Sequence, residues 1–137
     1  MPKAIKINHV TILVKDKSKA EMFYTEILGL EKVIVGRSLW IRVGPQFIHI
    51  SENSGSTRSE SFYHFAIEFE NVAEFAKELV AKGVSVFDLD NEMKQILINE
   101  EFEKPKRLFF VRDPDDNMIE LAEANNPFFN PDPLKIS

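Results

Sequence analysis

Histidine is scarce in this chain. Only His9, His49 and His64 occur among 137 residues, and a neutral imidazole offers its nitrogen to protons and to divalent metals alike. His9 stands in INHVTILVKDK and His64 in FYHFAIEFEN, each in an alternating run. His49 lies in QFIHIS, and Glu120 interrupts the apolar run NMIELAE. Two histidines and one carboxylate leave coordination positions open for substrate or water, as metal catalysis requires. A carboxylate among apolar neighbours also needs a cationic partner. His9, His64 and Glu120 are therefore the candidate metal ligands, with His49 as a fourth ligand or a residue beside them. Taken singly, a histidine in a strand is more often an ordinary core or surface residue. Placement at equivalent points of two similar segments is what favours the ligand reading.

The elements that must position these residues follow from hydrophobic period. From Ile5 to Val14 the chain alternates, with Val10, Ile12 and Val14 on one face and His9, Thr11 and Leu13 on the other. The first face is core; the second, with an imidazole and a hydroxyl, suits a polar cavity, although threonine is also simply a good strand former. Asp16 or Ser18 can cap a helix whose apolar stripe is Ala20, Phe23, Tyr24, Ile27 and Leu28, ending at Gly29. Strands are expected at 31–35, 38–43 and 46–51, turned at Gly36 and Gly44-Pro45. Phe47, His49 and Ser51 share a face, and Trp40 and Phe47 are either core or stacking walls of a cavity.

Residues 52–61, ENSGSTRSES, carry no apolar side chain and form the clearest linker. Beyond it the pattern repeats. A strand over 62–70 carries His64, Ala66 and Glu68 on one face; Asn71 caps a helix with stripe Val72, Phe75, Ala76, Leu79 and Val80, and Gly83 ends it. Further strands are expected at 84–87 and 93–98, then a hairpin of 107–112 and 118–123 across the turn Asp113-Pro-Asp-Asp-Asn117. The expected layout is a first module over 1–51, a linker over 52–61, a second module over 62–123 and an irregular tail over 124–137. The tail's Phe128, Phe129, Leu134 and Ile136 are costly to leave in water.

A net charge of −5 argues against a general nucleic-acid or anionic-membrane surface, and no apolar run reaches membrane-spanning length. The absence of cysteine excludes disulfides and thiolate ligands. With no leader pattern at Met-Pro-Lys, the expected location is the cytoplasm.

INHVTILVKD…FYTEILGLE, HFAIEFENVAEFAKELVAKGV and FFVRDPDDNMIELAE closely resemble the vicinal oxygen chelate superfamily over about residues 5–123. This group holds glyoxalase I, bleomycin-resistance proteins, extradiol dioxygenases and fosfomycin-resistance thiol transferases. The resemblance implies an α+β fold of two βαβββ modules, curved mixed sheets around a cavity, and a homodimer. It implies metal ligands at His9, His64 and Glu120 and one divalent ion per site (zinc, nickel, iron, manganese or cobalt). His49 falls where the bacterial glyoxalase I pattern has a glutamate ligand, which leaves Glu120 as the evident carboxylate base. The segment after Glu120, LAEANNPFF, lacks the arginine usual in the thiol-transferase branch. The implied function is a metal-dependent lyase or isomerase acting on a small metabolite, with extradiol dioxygenase, antibiotic-binding protein and fosfomycin transferase as alternatives. Asp116 replaces the glycine of the family's DPDGN turn.

Overall fold

The computed structural model describes residues 2–53, 63–103 and 108–124. The first alternating run becomes strand β1 (His9–Val14), which buries Ile12 and Val14 and leaves His9 and Thr11 exposed. Asp16 stops it and caps helix α1 (Lys17–Met22), its carboxylate accepting from the N–H groups of Ser18 and Lys19. The apolar stripe continues to Leu28, but not as α-helix. Phe23–Ile27 is a π-helical turn, in which Leu28 N donates to Phe23 O at 3.0 Å. This turn carries the consecutive rings of Phe23 and Tyr24, both buried.

Strands β2 (Glu31–Val35), β3 (Ser38–Val43) and β4 (Gln46–Glu52) follow, within one residue of expectation. Gly36 and Gly44 make the two hairpin turns at φ of 61° and 58°, a backbone that costs glycine no steric strain. The sheet order is β1-β4-β3-β2, with β1 parallel to β4 and the other pairs antiparallel. One face buries Ile12, Val14, Leu39, Ile41, Ile48 and Ile50. Helix α1 packs against β4.

The second half begins with β5 (His64–Phe69) and α2 (Val72–Ala81). Asn71 caps α2 from a left-handed conformation (φ 57°), its amide oxygen accepting from Glu74 N at 3.3 Å. Glu123 Oε2 accepts from Val72 N at 3.1 Å, placing a carboxylate at the positive end of the helix. Phe75 stacks on Phe69 at 4.2 Å. Then come β6 (Phe87–Leu89), β7 (Gln95–Leu97), β8 (Phe109–Arg112) and β9 (Met118–Glu123), in the sheet order β5-β9-β8-β6-β7. The strand expected at 84–87 starts only at Phe87, although Val86 is already buried. The strand expected at 93–98 is shorter, since Met93 holds a positive φ of 65° that a strand cannot accommodate.

The two sheets repeat one plan, the first strand lying beside the last and the others following in reverse, with β7 added in the second. A pair of equivalent hydrogen bonds marks the repeat. Asn53 N donates to Val14 O at 2.7 Å, and Ala124 N donates to Phe69 O at 3.0 Å. Five residues before Val14 is His9, and five before Phe69 is His64; four before Asn53 is His49, and four before Ala124 is Glu120. The four candidate ligands therefore occupy two pairs of equivalent positions.

By contact density the chain divides into two compact units, Met1–Phe65 with Arg112–Ile119 and Ala66–Val111 with Glu120–Ser137. The expected linker lies outside the described residues from residue 54 on, and the expected tail from residue 125 on. Among the described residues no helix is long and apolar enough to cross a membrane.

In the first unit the turn 113–117 is held by a buried polar cluster. Asp113 accepts from Tyr24 Oη at 2.9 Å, from Asn117 Nδ2 and Asn117 N at 2.9 Å, and from Asp115 N at 2.9 Å. Asn117 Nδ2 also donates to Leu13 O at 3.0 Å, and Asp115 accepts from Lys15 N at 2.9 Å. The turn is thereby stitched to β1. Burial pushes the Tyr24 phenol well above its ordinary range, and the Asp113 carboxylate adds to the effect. Burial also raises Asp113, against the lowering pull of its hydrogen bonds from Asn117, Tyr24 and Asp115. At the same turn Asp116 has a positive φ of 64°. An aspartate there carries steric strain that glycine lacks. Asp116→Gly is expected to raise stability by about 0.5–1 kcal/mol in urea unfolding; an unchanged or lower midpoint would contradict the strain.

Candidate functional site

The face of the first sheet turned away from α1 is where chemistry gathers. Alternation along β1, β3 and β4 directs His9, Thr11, Trp40, Phe47 and His49 to that side. The register then sets His9 beside Phe47, and His49 between Thr11 and Trp40. The rings interlock. Trp40 stacks on His49 at 4.3 Å with planes 13° apart, while His9 meets Trp40 edge-on at 4.9 Å. Phe47 stands perpendicular to Trp40 at 6.0 Å. His9 is exposed and the other three rings are half-buried, so this is a partly open aromatic surface, not a closed core.

His9 and His49 have ring centroids 6.4 Å apart. Two imidazoles bonded to one tetrahedral zinc at about 2.1 Å have ring centres roughly 5 Å apart. The observed separation of 6.4 Å is wider than that. Nδ1 of His9 lies 2.9 Å from the amide oxygen of Asn8. Among the described residues Nε2 of His9 has no hydrogen-bond partner, and His49 makes ring contacts only.

Also within the first unit is a cleft of about 140 Å³ lined by Val10, Thr11, Ile12, Tyr63, His64, Phe65, Asn117 and Met118. Thr11 and His64 thus share one cavity, which is large enough for a few heavy atoms of a ligand. Glu120 belongs to the other unit, half-buried on β9 between the buried Ile119 and Leu121.

The structure therefore brings His9, His49, Trp40 and Phe47 together on one sheet face, and Thr11 with His64 in one cleft. Among the described residues no three histidine, cysteine, aspartate or glutamate side chains gather closely enough to hold a metal ion. The donor chemistry fits a divalent ion, since imidazole nitrogens are common ligands and His9 and His49 share this face. Sequence reasoning passed over Asn8 and Tyr63. The signal for Asn8 was its place directly before His9, a hydrogen-bonding side chain next to a candidate ligand.

No curated protein matches the chain. Among solved structures it is similar to a glyoxalase-family protein from Bacillus anthracis, with 26% identity and a TM-score of 0.67, covering 88% of this chain and 97% of that one. It shares its fold with the fosfomycin resistance protein FosX from Mesorhizobium loti (16% identity, TM-score 0.63, 87% and 92% covered). A second such likeness is to FosX from Listeria monocytogenes (20% identity, TM-score 0.65, 87% and 93% covered). The sequence model of the Glyoxalase/Bleomycin resistance protein/Dioxygenase superfamily matches residues 6–121, nearly the whole of both modules. The α+β pair of sheets and this match agree, and the chain belongs to that superfamily.

Proposed function

We propose that the chain is a metal-dependent enzyme of lyase or isomerase type, acting on a small metabolite with two adjacent oxygens. The observation that carries the reading is the His9–His49 pair, two imidazoles sharing one open sheet face at 6.4 Å. His64 and Glu120, at the equivalent positions of the second module, complete the proposed set of three nitrogens and one carboxylate. These four residues would hold a divalent ion (zinc, nickel, iron, manganese or cobalt), which would supply Lewis-acid polarisation of the substrate oxygens.

The chain's own residues do the rest. His9, His49 and His64 would hold the ion through their ring nitrogens. Glu120, the set's carboxylate, removes the proton from the carbon beside the substrate carbonyl and returns it to the product. The Thr11 hydroxyl donates to a substrate oxygen in the cleft. Trp40 and Phe47 form an apolar wall that keeps water away from the reacting carbon. A homodimer is the proposed assembly and the cytoplasm its place. Family membership supports this account, as does the equivalence of the four ligand positions in the two modules.

A second reading, a binding protein that holds a small molecule without turnover, is favoured by the aromatic cluster around Trp40. Extradiol ring cleavage is the alternative chemistry for the same ligands, and fosfomycin modification, suggested by the FosX neighbours, ranks below it. Metal analysis of protein purified without chelator tests the metal-dependent reading. A stoichiometric divalent ion, lost in His64→Ala, is expected. Protein that takes up no metal from zinc, manganese, nickel, cobalt or ferrous salts would overturn the proposal.

A further inference from the structure

We infer that Asn8 is a positioning residue for His9. It holds the proton of the ring on Nδ1 and so presents Nε2 as the metal donor. The purpose of this arrangement rests on the metal-binding reading above; its geometry does not.

A neutral imidazole carries one N–H donor and one acceptor nitrogen, and the hydrogen bond at one nitrogen decides the role of the other. The amide oxygen of Asn8 can only accept. At 2.9 Å from Nδ1 it selects the form with the proton on that nitrogen. The lone pair is then on Nε2, which has no hydrogen-bond partner among the described residues. The edge-on contact with Trp40 at 4.9 Å braces the ring from another side. Histidines that bind metals characteristically donate their second ring N–H to a fixed oxygen, which sets both tautomer and orientation. Here the oxygen comes from the adjacent residue, just before β1, where the chain is not yet committed to strand alternation. Without it the proton is free to move to Nε2, the usual form of an unconstrained neutral imidazole. The metal must then displace that proton and fix a rotating ring.

The test has two arms on the full chain. Long-range proton–nitrogen correlation spectra of the metal-free protein, recorded where His9 is neutral, read the tautomer directly. The expected result is Nδ1–H in the wild type, retention in Asn8→Asp, which keeps the acceptor, and a shift to Nε2–H in Asn8→Ala. In the second arm, zinc affinity is measured by chelator competition. Asn8→Ala is expected to weaken it by about 10–100-fold, and Asn8→Asp to preserve it. A wild-type His9 protonated on Nε2, or an Asn8→Ala spectrum identical to wild type, overturns the inference. A wild type that shows the expected tautomer yet binds no zinc overturns the donor role and the metal-binding reading together, while the Asn8–His9 hydrogen bond stands. Asn8 is exposed, and identical backbone spectra of the variants confirm that folding is unchanged.

Discussion

Zinc binding by His9→Ala is expected to be on the order of 100-fold weaker than by the wild type. A four-ligand zinc site is worth roughly 10–16 kcal/mol, or about 3 kcal/mol for each ligand, which corresponds to about that factor. His49→Ala should show a loss of similar size, because both imidazoles stand on one sheet face with centroids 6.4 Å apart. The two effects should not add. Once one ligand is gone the ion has less to gain from the other, so the double variant should fall short of the summed losses. Chelator competition and calorimetry on the four proteins measure this directly. An affinity unchanged in His9→Ala would remove the first sheet from the metal site. Strictly additive losses would place His9 and His49 on different ions.

The second large effect concerns stability. Asp113→Ala should cost about 3 kcal/mol or more and lower the Tm by roughly 10 °C. The carboxylate accepts four hydrogen bonds at a site 4% exposed, so its removal strands the Tyr24 hydroxyl, the Asn117 amide and two backbone N–H groups. The same residue sets a pH dependence. Burial holds the Asp113 carboxyl above its ordinary value in the folded chain. The folded state therefore binds this proton more tightly than the unfolded state does. Its contribution is complete below the ordinary carboxylate range and is lost as the pH rises through the raised folded value. Urea unfolding across that interval should show stability declining with pH in the wild type. In Asp113→Asn, which cannot titrate, that part of the slope should vanish. A slope that survives in Asp113→Asn belongs to other groups, and would refute the assignment.

Where the fold depends on period and on local capping, the sequence was readable. Alternation located β2 to β4 within a residue, although β1 starts at His9 and not at Ile5; Asp16 and Asn71 were recognisable caps, and the DPDDN turn announced its hairpin. Period also put His9 with Thr11 on one face of its strand and His49 with Phe47 on one face of another, and the register of the sheet brings those faces to the same side. What escaped was set by partners distant in the chain. Tyr24 could be read as part of an apolar stripe, but its hydroxyl is satisfied by Asp113, 89 residues away. The π-helical turn Phe23–Ile27 has the same composition as an α-helix and differs only in which carbonyl each N–H reaches. The stretch from Asp88 to Lys106 was obscure because strand period is hard to hear in three-residue strands such as β6 and β7. The candidate site was legible as residue types at repeated positions. The ring geometry around Trp40, and the amide that steers His9, depend on side-chain angles that spacing does not encode.

Trp40 is the only tryptophan in the chain, and it lies against both imidazoles of the first sheet. The intrinsic fluorescence of the molecule therefore originates almost entirely at this one spot. A paramagnetic cation bound beside it would quench it, and a small molecule bound there would shift its colour, with no dye or label attached. The protein carries its own optical gauge of what occupies that face, and ligand libraries can be screened with nothing more than a fluorimeter.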